Sequence, residues 1–178
     1  MKEFKLKNGD AVLIRQATKN DAIEIIECIN KISSETDFLT FGNGEFVISI
    51  EQEERFLEDI SRQNNAIFIV VEIDCTIVGT LSFSGGGRPR ISHTGELGIS
   101  ILKEYWGNGI GTELIKYLIE WCKQSGVIRK INLEVRNDNF SAIHIYKKLG
   151  FTKEGVITRF IQINGVFYDG LFMGYTID

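Results

Sequence analysis

A single proline, Pro89, occurs in the 178 residues of this chain, inside the one loop-like stretch Ser84-Gly85-Gly86-Gly87-Arg88-Pro89-Arg90. No linker and no internal repeat divides the sequence, which reads as one domain over residues 1–178. Cysteine is almost as sparse. Cys28, Cys75 and Cys122 are odd in number and far apart, which excludes a disulfide framework and a cysteine metal site. Each is expected to pack as a small apolar residue in a reducing cytosol. Two histidines, His93 and His144, have no partner at ligand spacing, so no metal is expected. No apolar run nears the ~20 residues of a membrane span, and no leader-like segment opens the chain. A cytoplasmic location away from membranes is the expectation. Basic stripes are missing too, and a net charge of −4 argues against nucleic acid as a partner.

What the chain does have is 43% hydrophobic residues, enough for one good core, arranged with alternating periods. Asn8-Gly9 reads as a hairpin turn between Phe4–Leu6 and Ala11–Arg15. Thr18 and Asp21 form a capping pair for a helix through about Lys31, and a second helix is expected over Ile50–Arg62. Ala66–Ile73 is almost continuously apolar, as a strand covered on both faces would be. Asp74-Cys75 turns into a strand at Ile77–Phe83, and Glu96–Leu102 alternates as another. Leu114, Ile115, Leu118, Ile119 and Cys122 mark a helix that stops near Gly126; Ile131, Leu133 and Val135 mark the next strand. A short helix from Asn139 ends at Gly150-Phe151, and Asn164-Gly165 joins two final strands. The order is mixed α/β, with a crossover at 96–135 and an antiparallel finish.

The densest motif is Trp106-Gly107-Asn108-Gly109-Ile110-Gly111-Thr112, between a strand and an amphipathic helix. Glycines permit a tight turn there, and the helix start offers free N–H groups to a phosphate. It is not a phosphate-binding P-loop, since no Lys-Ser/Thr closes it. Its G-x-G-x-G spacing also differs from the dinucleotide pattern, although Glu134 lies at about the distance of that fold's ribose-binding acid. Lys103–Trp106 separates strand from glycines, against that alternative. A helix start with no ligand is the remaining alternative.

Two blocks in order, Gly109-Ile110-Gly111 and Asn139-x-x-Ala142-x-x-x-Tyr146-x-x-x-Gly150-Phe151, resemble the GNAT superfamily of acetyl-CoA-dependent N-acetyltransferases. The opening Ile14-Arg15-x-Ala17-x-x-x-Asp21-Ala22 is similar to members as well, whereas Trp106 stands where many carry Gln or Arg. The resemblance implies an α/β (α+β) fold: a mixed, mostly antiparallel, splayed sheet of about seven strands flanked by about four helices. It implies acetyl-CoA as acyl donor between the strands at 96–102 and 130–136, bound by the backbone of Ile99, Ser100 and Ile101. The pyrophosphate would be held by the N–H groups of Gly107, Asn108, Gly109, Ile110, Gly111 and Thr112, with Asn139 near the pantetheine. Tyr146 would lie beside the sulfur as proton donor to the departing thiolate. The rival without catalysis is an acyl-CoA- or nucleotide-sensing module.

An attacking alkylamine has a pKa of about 10, so presenting it neutral at pH 7 costs about 4 kcal/mol unless a base or a dry pocket intervenes. Glu134 resembles the base of ribosomal-protein N-terminal acetyltransferases, and Glu96 lies where many members place a basic carboxylate. By alternation both sit opposite the apolar positions, facing either a cleft or plain solvent. Without the resemblance, Tyr146 reads as a core aromatic whose hydroxyl finds a partner, and Asn139 as a helix cap. Glu45, Glu51, Glu53, Glu54, Glu58 and Asp59 outnumber Arg55 in the region where the superfamily builds its acceptor pocket. They form either a solvated helix face or an acidic rim for a cationic amine. Phe38, Phe41 and Phe46 would line that pocket or the core. The acceptor is expected to be a small-molecule amine, such as a polyamine, or a peptide N-terminus; the resemblance leaves a homodimer open.

Overall fold

The computed structural model describes residues 1–178 as eight strands and four α-helices. In chain order these are β1 (Lys2–Lys5), β2 (Ala11–Gln16), α1 (Ala22–Glu35), α2 (Ile50–Ser61), β3 (Ala66–Ile73), β4 (Thr76–Gly85) and β5 (Thr94–Ile101). After them come α3 (Ile110–Ser125), β6 (Lys130–Arg136), α4 (Phe140–Lys148), β7 (Thr152–Ile163) and β8 (Val166–Thr176). One sheet takes all the strands in the order β1-β2-β3-β4-β5-β6-β8-β7, and only β5–β6 is parallel. No helix is long and apolar enough to cross a membrane.

The sheet has eight strands rather than about seven, and α1 runs past Lys31 to Glu35. The extension is stable because Ile32 and Ser33 continue the buried stripe. The Ser33 and Ser34 hydroxyls also fold back onto the carbonyls of Asn30 and Lys31. The cysteines divide: Cys28 and Cys122 are buried as expected, but Cys75 is exposed. It occupies the β3–β4 turn with Asp74, both at positive φ, and the turn geometry holds its side chain outside the core.

Alternation gives the sheet two different faces. Ile67, Ile69, Leu81, Phe83 and Leu97 share one face, where α3 covers them and Trp121 meets Phe83 edge-on at 6.2 Å. On the other face α2 packs through Leu57 and Ile60, and its Phe56 meets Phe68 of β3 edge-on. β3 is buried on both sides from Ala66 to Val71, which its apolar run requires.

Gly95 pairs with Gly85 on one side and Ile131 on the other, at the seam between β5 and β6. An added Cβ would lie 2.6 Å from the Ser84 carbonyl oxygen and against the Phe83 ring. Gly95→Ala is therefore expected to lower stability by about 1–3 kcal/mol in urea unfolding. Gly98→Ala, which meets only the Ser82 hydroxyl at 3.2 Å, is expected to lose far less.

Candidate active site

β5 and β6 pair over three residues only: Thr94 with Lys130, Gly95 with Ile131, and Glu96 with Asn132. Beyond that seam β5 stays paired to β4 as far as Ile101, and β6 stays paired to β8 as far as Arg136. Two strand edges thus face each other without bonding. The backbone direction in β5 follows from two bonds. Leu102 N–H donates to Val78, toward β4, while the His93 carbonyl accepts from Arg129 and Lys130, toward β6. Backbone groups alternate sides along a strand, so those of Ile99 and Ile101 face the gap. Ser100 is the exception among the three expected ligands. Its backbone is directed at Thr80 of β4, and its hydroxyl lies 3.1 Å from the Thr80 hydroxyl. The gap edge is therefore Ile99 and Ile101.

At the end of β5 the chain enters the glycine loop. Gly107 and Gly109 have φ of 77° and 84°, which only glycine adopts without strain. None of the six N–H groups from Gly107 through Thr112 donates within the chain, the last three being the open start of α3. Ile110 is buried, so it can offer only its backbone, and the Asn108 side chain is turned onto the carbonyls of Tyr105 and Trp106. Gly111 lies against Ile99 and Ile101, which sets α3 beside the gap. Such a cluster of N–H groups at a dipole's positive end binds anions.

On the opposite face the seam pairs Glu96 with Asn132, and alternation puts Glu134 on that same face. Loss of hydration and the neighbouring Glu134 charge together hold the Glu96 carboxyl above the usual range. Asn132 donates to the Thr94 hydroxyl at 2.9 Å, and its own Oδ1 is the one fully buried side-chain polar atom without a partner. Next along this face is Arg136, buried to 6% exposure and stacked between Phe38 at 4.9 Å and Tyr168 at 3.9 Å. It donates to both Asp138 carboxylate oxygens and to the Asp37 carbonyl, so it ties the α1–α2 segment to the end of β6. Phe38 is thereby placed at the mouth, while Phe41 and Phe46 pack on each other. Neither Asn132 nor Arg136 was singled out from sequence, although both lie two residues from Glu134, where alternation assigns them its face.

Tyr146 projects from α4 on the α3 side of the sheet, packed on Phe151, which rests on Tyr175 of β8. Its ring is buried, and burial pushes the phenol above the ordinary tyrosine range. A core tyrosine normally bonds its hydroxyl. This hydroxyl has no partner in the chain and is not among the fully buried polar atoms, so it reaches accessible space. Asn139 caps α4, its Oδ1 accepting from Ala142 N–H at 3.3 Å. Of the acidic run, Glu53 is buried on the α2 stripe, and Glu45, Glu51 and Asp59 are exposed. His93 and His144 are both exposed.

The profile of the acetyltransferase (GNAT) family matches residues 33–151, two thirds of the chain. An L-amino acid N-acetyltransferase of Escherichia coli is 34% identical over 105 residues, 59% of this chain and 65% of that relative. The crystal structure of a GNAT-family acetyltransferase from Streptococcus pneumoniae superposes with a TM-score of 0.90 at 35% identity, covering 94% of this chain and 99% of that one. A ribosomal-protein-alanine N-acetyltransferase from Brucella melitensis superposes at 0.80 with 25% identity, over 93% and 99% of the two chains. The splayed strands, the free N–H groups at the head of α3 and these likenesses agree: the chain belongs to the GNAT family and is an acetyl-CoA-dependent N-acetyltransferase.

Proposed function

We propose that the protein moves an acetyl group to a primary amine by direct attack, with donor and acceptor bound together on opposite sides of the β5–β6 gap. The observation that carries this reading is the coincidence of an unpaired strand edge with six free N–H groups. Coenzyme A fits that combination, being an amide-rich arm attached to a pyrophosphate. Ile99 and Ile101 would hold the arm through their backbones, and Gly107–Thr112 the pyrophosphate; Asn139 would stand beside the arm. The bound donor supplies an acetyl thioester.

On the other face, Glu96 and Glu134 offer carboxylates to the amine. A base must take up the amine proton at or before attack, and the raised pKa of Glu96 brings it nearer to neutral pH. Glu96 is assigned as base, directly or through one water, and Glu134 as the charge that tunes it. The Ile99 N–H, which faces the gap, would stabilise developing negative charge on the carbonyl oxygen. Tyr146 keeps its proton throughout the neutral range and can deliver it to the leaving sulfur. The acceptor is assigned as an amine of a free amino acid, a polyamine or a protein N-terminus. The amino-acid and ribosomal-protein relatives support an α-amine, and the exposed acids of α2 support a cation.

Acetyl-CoA incubated with amino acids, polyamines and N-terminal peptides is expected to release free thiol with at least one of them. Thermal protection by coenzyme A without thiol release from any of them would place the acceptor outside these classes. Tyr146→Phe is expected to lower kcat about 10²-fold with little change in the acetyl-CoA KM; an unchanged kcat removes Tyr146 from the chemistry. In pH profiles of kcat/KM the rate should rise as Glu96 ionises, giving an acid limb above the ordinary carboxylate value of about 4.3. Glu134→Gln deletes a like charge, so that limb should move to lower pH. Glu96→Gln should abolish it, and a limb that survives both substitutions assigns the base elsewhere.

A further inference from the structure

Side chains brace the connection from β5 to α3 at three points. Glu35, the last residue of α1, accepts from the Lys103 backbone N–H at 2.8 Å. The Asn108 amide donates to the Tyr105 and Trp106 carbonyls at 3.2 and 3.3 Å. Of the bonds made within the connection itself, that of Trp106 reaches furthest along the chain, its indole N–H donating to the Ile101 carbonyl at 2.7 Å. The indole is 45% exposed, so burial of apolar surface does not account for its placement.

The ends of that bond are informative. Ile101 is the last residue of the open edge, and Trp106 immediately precedes the first free N–H of the glycine loop. Backbone bonds from Tyr105 N–H to Leu102 and from Trp106 N–H to Lys103 hold the turn between them only as far as Trp106, and beyond it an added Cβ at Gly107 or Gly109 would meet nothing within 4 Å. Their conformation is set by φ and not by packing. A carbonyl accepts two hydrogen bonds, so Ile101 still has a lone pair for a ligand. Two weak subsites on one ligand reinforce each other only when their span is held.

We propose that Trp106 is a positioning residue: its bond to Ile101 fixes the span between the strand edge and the glycine loop, so that a ligand engaging both binds as one unit. This rests on the reading of the gap as the coenzyme A site. Trp106→Phe keeps an aromatic ring and removes only the N–H; Trp106→His keeps a ring N–H. The test is the affinity of wild type and both variants for coenzyme A, for 3′-phospho-ADP and for pantetheine, measured by calorimetric titration or competition.

Trp106→Phe should weaken coenzyme A about five- to tenfold, as loss of one hydrogen bond allows, while each fragment changes less than about twofold. The acetyl-CoA KM should rise by a similar factor at unchanged kcat, and Trp106→His should recover part of the loss. Unchanged coenzyme A affinity overturns the proposal. So does an equal loss for either fragment, because Trp106 would then serve one subsite or the fold alone. Wild-type protein that binds no coenzyme A defeats the reading of the gap itself, before Trp106 is reached.

Discussion

The unmade ladder between β5 and β6 is the constraint on which the rest of the site depends. Three parallel pairs join the strands, and beyond Glu96 and Asn132 each follows its other neighbour. Backbone groups need hydrogen-bond partners, so two facing edges without a common ladder are left to solvent or to whatever enters between them. The helices respect this division. α3 stands beside β5 through Gly111, and α4 rests on β8 through Phe151 and Tyr175, which leaves the gap between them. One local failure of pairing thus creates the cleft, exposes its hydrogen-bonding walls and sets the spacing of its flanking helices.

The gap also separates charge. The α3 side offers N–H groups and the positive end of a helix dipole, while the opposite face offers Glu96 and Glu134. An anionic ligand and a cationic one would be drawn to different sides of one opening. Partial burial and the neighbouring Glu134 charge raise the proton affinity of Glu96, the direction that a base working near neutrality requires. The sheet's alternation arranges this without any long-range device: Glu96 and Glu134 share a face because each follows the pleat of its own strand.

Most of the scaffold was legible in the sequence because its signals are local. Ala66–Ile73 spans the limits expected from its apolar run, and Thr18-Asp21 and Asn164-Gly165 mark a helix start and a hairpin through their own side chains and dihedrals. Ser100 shows where local reading ends. Whether a backbone group faces a gap or a neighbouring strand depends on register, which pairing with β4 decides. Cys75 failed for a related reason, since composition gives a cysteine's preference and only the turn decides where it sits. Trp106 looked like a defect in a motif, and its partner, five residues earlier, is invisible until the loop has folded back. Arg136 gave no sequence signal of its role, because Asp37 and Tyr168 come from opposite ends of the chain.

The stacking of Arg136 gives it a different response to salt from the exposed acids of α2. Exposed charges lose sight of each other beyond about 8 Å at physiological ionic strength. The field of the acids along α2 therefore reaches only a short distance, and less still as salt rises. A guanidinium buried between Phe38 and Tyr168 is largely shielded from mobile ions. Brine strong enough to silence the α2 acids leaves standing the tie that Arg136 makes between Asp37 and the end of β6.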